Sequence, residues 1–451
     1  MKINKDGIKI NDYDLYMTRL CTSCNNQYKI IDIGLDNNHF HPPYDYIKGC
    51  SEYCLHCWIC PEYAPPTIPM EDEQDIELIF PEHHTYWYDV DFYQKIDLGN
   101  LKVAYKDYIK DGYHIAILPI SRLVTNRSIF LPEGIMIYPE GRLDLTKYKL
   151  KNIDASKLKE KHVSELTMQE LSSLQSQLSN VSLDALNKYA LIVIPIKLNW
   201  DTIFNHSHEK HIELISSLSE IITQKCLNYF IYKNCKISYI SNDILPSSPS
   251  QTFINNMSST LFVNLNNNES KLISGAVFNS HITKGLGLAL SQPEWDNFPK
   301  KGEVGKLVNH AFLLYTQIIK TESATSKFVQ ILSLLEFLAF PTEYKKFQDV
   351  KKIIARYTIQ DTNSKEYLDL LKRFEELTSK KDAGTGEQVG LRTCIVHIGD
   401  RIENLLPTAN ERKELFEELN TYVRNVIDHM IQYSNLSLEE YSIEKEKLIK
   451  T

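Results

Sequence analysis

The sequence predicts an α+β multidomain chain: a cysteine-rich N-terminal module over residues 1–98, a mixed α/β domain over 99–300 and an all-α helix bundle over 301–451. Three observations carry that division. The chain has 451 residues, more than one hydrophobic core ordinarily serves, and its 43% hydrophobic and 24% charged composition is that of a globular protein. Six of the nine cysteines fall before residue 61. From Lys306 onward the apolar residues recur at helical intervals almost without interruption.

In the first module, Cys21 and Cys24 form one C-x2-C pair, and GCSEYCLHCWIC supplies Cys50, Cys54, Cys57 and Cys60. Two such pairs suit a structural zinc ion, because a tight turn at each pair lets four thiolates converge. The preferred set is Cys21, Cys24, Cys57 and Cys60, with Cys54 and Cys57 an equally well spaced second pair. The C-x3-C-x2-C spacing of Cys50, Cys54 and Cys57 leaves an iron–sulfur cluster open as well. The phrase CLHCWI resembles that of radical S-adenosylmethionine enzymes, which would imply redox chemistry, but no Gly-Gly-Glu segment and no succession of strand–helix units follows it. His39, His41, His83 and His84 are further candidate ligands near this site.

No basic residue lies between Lys48 and Lys95, while ten acids do, from Glu52 to Asp91. That stretch and the net charge of −8 give no general attraction for nucleic acid. No apolar run reaches the ~18–20 residues that span a bilayer, and the start lacks a signal-peptide core. A cytosolic protein with reduced thiols and no membrane partner is expected.

The middle domain opens with short apolar runs, HIAILPI at 114–120 and GIMIYPEGRLDL at 134–145, whose prolines are read as strand stops. Thr167 and Glu170 have capping-box spacing ahead of Leu171, Leu174 and Leu178, which predicts a helix. ALIVIPI at 190–196 reads as a buried strand. Leu214, Leu218, Ile221 and Ile222 predict a second helix, and NYFIYKNCKISYI and TLFVNL read as β. His206, His208 and His211 fall in a polar stretch with no carboxylate context that would mark a metal site. The polar, proline-bearing SQPEWDNFPKKGE at 291–303 marks the boundary with the bundle.

In the bundle, Phe328, Ile331, Leu332, Leu335, Leu338 and Ala339 form one apolar face that ends at Pro341, and Leu415, Leu419, Tyr422, Val423, Val426 and Met430 form another. Two amphipathic helices are expected between them, at about 344–357 and 364–378, then the glycine-bearing loop KKDAGTGEQ and a helix from near Val389. That last helix reads GLRTCIVHIGDRIENLL, so Arg392 and His397 bracket four residues. Arginine grips a phosphate through two donors at once, and histidine moves protons near neutral pH. Metal-free RNA cleavage needs both roles, since a 2′-hydroxyl attacks its own phosphate and charge builds on the phosphoryl oxygens. Five residues of ideal α-helix nevertheless turn the two side chains about 140° apart. Glu336 lies in an otherwise apolar helix, where an unpaired carboxylate is expensive, and is expected to find a partner; it either orients Arg392 or His397 or lies at the exposed edge of its helix.

The phrase around Arg392 and His397, together with the LSLLEFLAF helix that holds Glu336, resembles the R-x4-6-H signature of HEPN domains, in particular the Apea-like group, over roughly residues 305–434. The resemblance implies a metal-independent endoribonuclease with Arg392 and His397 catalytic and Glu336 and Thr393 supporting. Family members often carry Asn, Asp or His where this chain has Thr393. It also implies a homodimer, in which two such signatures line one cleft on an RNA substrate, and a setting in bacterial antiviral defence or abortive infection with a phage-derived trigger sensed by the middle domain. A HEPN fold serving as a non-catalytic nucleotide-binding or assembly module is the alternative. The acidic stretch before Lys95 is then either a solvated face or an RNA mimic that restrains the cleft.

Overall fold

The computed structural model describes residues 77–80, 99–151, 183–204, 206, 208–238, 245–246, 259–274, 288–293 and 297–450, together with the backbone of four short N-terminal strands. Those four pair as two antiparallel hairpins, β1 (Ile3–Asn4) with β2 (Gly7–Ile8) and β3 (Thr18–Leu20) with β4 (Gln27–Lys29). Cys21, Cys24, Cys50, Cys54, Cys57 and Cys60 lie outside the described residues, as do the expected helix after Thr167 and the histidines at 39, 41, 83 and 84.

A seven-stranded sheet forms the middle of the molecule. Its strands are β5 (His114–Ile120), β7 (Ile129–Phe130), β8 (Met136–Tyr138), β9 (Lys149–Leu150), β10 (Ala190–Ile196), β11 (Ser259–Asn264) and β12 (Glu269–Ser274), in the order β7-β8-β10-β5-β11-β12-β9. All neighbours are antiparallel except β12 and β9. A separate parallel pair joins β6 (Leu123–Val124) to β13 (Leu288–Ala289). Alternation along each strand divides the side chains between two buried faces. Ile115, Ile117, Leu191, Val193, Leu261 and Val263 turn toward α1 (Leu101–Ala104), α2 (Lys106–Lys110) and α3 (Leu183–Leu186). Ala116, Leu118, Ile192, Ile194 and Phe262 turn to the opposite face.

Two expectations are corrected here. Pro119 does not stop its strand; it lies inside the central pair opposite Leu191, as Pro195 does opposite Ile115. Each stands beyond the reach of its strand's other neighbour, because β11 pairs only with Ile115–Ile117 and β8 only with Leu191–Val193. A proline there removes no ladder hydrogen bond. The run from Asn228 is not β but the helix α5 (Asn228–Asn234), which continues α4 (His208–Ile222) through a π-turn at Thr223–Leu227. Asn228 through Tyr232 are all buried. A helix covered on every side has no polar face, so its sequence mimics a buried strand.

The helical third comprises α6 (Glu303–Lys320), α7 (Ala324–Ala339), α8 (Phe347–Thr358), α9 (Lys365–Thr378), α10 (Leu391–Thr393), α11 (Ile402–Leu405), α12 (Ala409–Gln432) and α13 (Leu438–Lys450). Side-chain caps start four of them: Ser323 on α7, Ser364 on α9, Thr408 with Glu411 as a capping box on α12, and Ser437 with Glu440 as another on α13. One continuous core runs from the second face of the sheet through α4 and α5 into this bundle. The stretch read as a boundary is packed between the two: Gln292 exchanges two hydrogen bonds with the Phe130 backbone, and Phe298 lies 3.9 Å from Tyr229, ring centre to ring centre. No helix among the described residues is long and apolar enough to cross a membrane.

Lys271 on β12 is 0% exposed, its ammonium has no hydrogen-bond partner among the described residues, and the Phe204 ring lies 5.8 Å away. Burial lowers it from 10.5 to about 8. Below about pH 8 the folded protein carries the whole penalty of a buried charge, and the penalty disappears as pH rises to 10.5, where the unfolded chain also loses the proton. Lys271→Met should therefore raise stability by about 3 kcal/mol at pH 7, with the gain shrinking by pH 10. Urea unfolding of both proteins at the two pH values measures it, and an equal or weaker Met variant at pH 7 contradicts it.

Candidate active site

The turn that carries Arg392 and His397 is built from the end of α9 onward. After Thr378 the chain makes a loop closed by the bridge between Lys381 and Gln388, with the Asp382 carboxylate accepting from the Gly384 and Thr385 amides at 2.9 and 2.8 Å. It then passes so close to α9 that a Cβ at Gly390 would stand 2.6 Å from the Thr378 backbone. That approach brings Thr393 within reach of α9, and its hydroxyl donates to the Thr378 carbonyl at 2.8 Å. Thr393 thus fastens the turn to α9.

The expected helix from Val389 is shorter and differently wound. It begins as α10 at Leu391, widens into a π-turn at Cys394–Ile398 and stops at Gly399, whose φ of 86° is the left-handed conformation that glycine takes freely. The Gly399 amide donates to the Cys394 carbonyl, five residues back. A π-turn spends an extra residue per turn and recurs at functional sites. Its wider winding reduces the divergence that an ideal helix would impose on Arg392 and His397. Cys394 and Ile395 turn into the core, while Val396, His397 and Ile398 face outward.

Glu336 reaches this turn from α7. Its Oε1 lies 3.0 Å from Nη2 of Arg392, with the arginine side chain 35% and the glutamate 26% exposed. The Arg392 guanidinium also stands 5.8 Å from the centre of the Phe347 ring at the start of α8. The glutamate thus has the partner expected for it, and three helices fix one guanidinium. His397 is exposed, and among the described residues no hydrogen bond or ion pair joins it to Arg392. Phe347 had no signal in the sequence beyond its place on an amphipathic helix. The exposure of Val396 and Ile398, 48% and 61%, was also unforeseen.

No known family's model, no curated protein and no solved structure matches this chain. What the site can do therefore rests on its own geometry. Arg392 keeps donors beyond the one given to Glu336, and a guanidinium has five. His397 is open to solvent and to a ligand. Beside the turn, Val389 and Leu391 line a groove with Arg373, Lys380, Glu376, Glu411, Glu414 and Glu418, whose acidic excess repels phosphate. Arg373 is held there by Glu418 through Nε at 3.0 Å and Nη2 at 2.8 Å, which ties α9 to α12.

Among the described residues no cluster of three or more His, Cys, Asp or Glu side chains could hold a metal ion. The rings of His206 and His211 hold the carbonyls of Thr202 and Ile203, at 2.6 and 2.7 Å. Replacing Thr393 with Val should cost about 1 kcal/mol of stability through the lost bond to Thr378. Gly390→Ala should cost more, since the Cβ meets backbone that has no room to move. Chemical denaturation ranks the two, and the reverse order would show that the close approach is not what holds the turn.

Proposed function

We propose that the helical third is a metal-independent endoribonuclease of the HEPN type. The observation that carries the reading is the Arg392 guanidinium, held by Glu336 and Phe347 at the start of a π-turn that exposes His397. In this mechanism Arg392 holds the non-bridging oxygens of the scissile phosphate as the 2′-oxygen attacks phosphorus. His397 takes the 2′-hydroxyl proton, the P–O5′ bond breaks, and the departing 5′-oxygen must receive a proton. The products are a 2′,3′-cyclic phosphate and a 5′-hydroxyl. One imidazole cannot be base and acid at the same instant, so a second copy of the chain supplies the second histidine. The exposed Val396 and Ile398 on either side of His397 give such a two-fold pairing an apolar rim. Glu336 orients Arg392, and Thr393 positions the turn.

The wider setting rests on the HEPN resemblance alone: antiviral defence, with the middle domain sensing a phage-derived trigger. The zinc reading rests on cysteine spacing and calls for about one zinc per chain, which elemental analysis would find; iron with sulfide would instead favour the redox alternative. The assembly-module alternative draws on Thr393, whose hydroxyl is committed to the Thr378 carbonyl and not to substrate.

His397→Ala and Arg392→Ala should each reduce RNA cleavage by at least about 100-fold with little change in unfolding midpoint. Glu336→Gln should lower cleavage less than either, and brief EDTA treatment should leave it intact. Sequencing the RNA ends made by the parent and the His397→Ala protein is the decisive measurement. Identical ends at identical rates place the chemistry elsewhere, and no cleavage by a dimeric parent favours the assembly module.

A further inference from the structure

In a chain of net charge −8, the stretch from Lys345 to Arg356 holds five cations, Lys345, Lys346, Lys351, Lys352 and Arg356, against the single acid Asp349. Helix α8 sorts them by face. Phe347, Val350, Lys351, Ile354 and Ala355 are buried against the bundle, where Lys351 meets Glu375 at 2.7 Å. Asp349, Lys352, Ile353 and Arg356 fall about half a turn away from Phe347, on the side of α8 remote from Arg392. With Lys345 and Phe340 they line a groove of about 350 Å³.

The donors in this groove are incompletely used. Arg356 gives one Nη1 bond, at 3.4 Å, to the Leu448 carbonyl on α13, while its Nε is shielded from water and has no acceptor among the described residues. Lys352 is exposed and has no ion-pair partner among the described residues. Lys345 meets Glu343 at 2.9 Å, a pair open to solvent that salt and competing anions weaken readily. At the rim, Lys445 sits against the Ala339 carbonyl, with its ammonium 4.8 Å from the centre of the Phe340 ring. It covers the carbonyl end of α7, which would otherwise repel an anion.

We propose that this groove binds the phosphate of a nucleotide, with Arg356 and Lys352 on the phosphate oxygens and Phe340 and Ile353 against the ribose or base. A guanidinium fork beside a mobile ammonium matches phosphate, and an apolar wall next to it favours an organic phosphate over an inorganic one. The volume lies at the lower end of small-ligand sites and suits one nucleotide unit. That unit is either a free nucleotide or one link of an RNA strand, and the chemistry is common to both. The proposal does not rest on the ribonuclease reading, since the groove shares no residue with the Arg392 turn.

Binding is measured on the full chain carrying His397→Ala, so that RNA stays whole whatever the turn does. The probes are a fluorescent ten-nucleotide RNA, ATP and inorganic phosphate, at low salt. Lys345→Glu combined with Lys352→Glu reverses two solvent-facing charges without touching the core, and Lys365→Glu combined with Lys372→Glu on α9 is the control of equal net charge. The double variant should weaken nucleotide or RNA binding at least about tenfold and flatten its salt dependence, while the control changes it less than about twofold. ATP displacing the RNA identifies a free nucleotide as a ligand; RNA binding with no ATP binding identifies the strand. If the double variant binds every probe like the parent, if the control weakens binding as much, or if the parent binds none, the groove is not a phosphate site.

Discussion

Arg424 leaves the middle of α12 and enters the end of α5, where its guanidinium reaches the carbonyls of Tyr232 at 2.8 Å, Lys233 at 3.4 Å and Cys235 at 3.4 Å. A helix leaves its last carbonyls without partners, and a buried helix end needs a donor from elsewhere. Around this cap the Tyr232 hydroxyl donates to Asp428 at 2.8 Å, the Arg424 plane covers the Tyr232 ring at 4.7 Å, and the Tyr315 hydroxyl lies 2.6 Å from the Asn420 oxygen. The network joins the last helix of the sheet layer to α6 and α12. Without it the shared core would have to bury a row of unsatisfied carbonyls.

From α12 the same positional dependence extends to the candidate active site. Glu418, less than two turns before Arg424, holds Arg373 on α9, and α9 ends at the carbonyl that receives Thr393. The turn bearing Arg392 and His397 therefore has no independent footing. Its other support comes from α7 and α8 through Glu336 and Phe347. Four helices converge on a stretch that is only a few residues long.

Much of this was legible in the sequence, and the helices most of all where one face meets water. The apolar stripes from Phe328 and from Leu415 gave α7 and α12, an acid in an otherwise apolar helix pointed to a paired carboxylate, and the unbroken apolar runs at 114 and 190, short and rich in Ile and Val, gave the two central strands although both faces of each are buried. The sequence misleads where a helix is buried on every side or where strand pairing is partial. Tyr229 to Tyr232 are apolar on all sides and carry no period. Pro119 looks like a strand end because single-strand reasoning does not know how far each neighbour extends. The π-turn had no residue signal of its own apart from Gly399. The resemblance to HEPN domains supplied the pairing of Arg392 with His397, and spacing alone would not have done so.

The π-turn bears on how such pairs are found. What a reaction selects is the direction in which two side chains point, and the number of residues between them is only one way of reaching it. Wound as plain α-helix, a chain presents two groups on one face at separations of three or four; a single widened turn shifts that interval by one. A search keyed to one fixed interval then passes over chains that place the same two groups alike. Insertion or deletion of one residue within Cys394–Ile398, which an alignment scores as a break, is the kind of change this segment can absorb by rewinding.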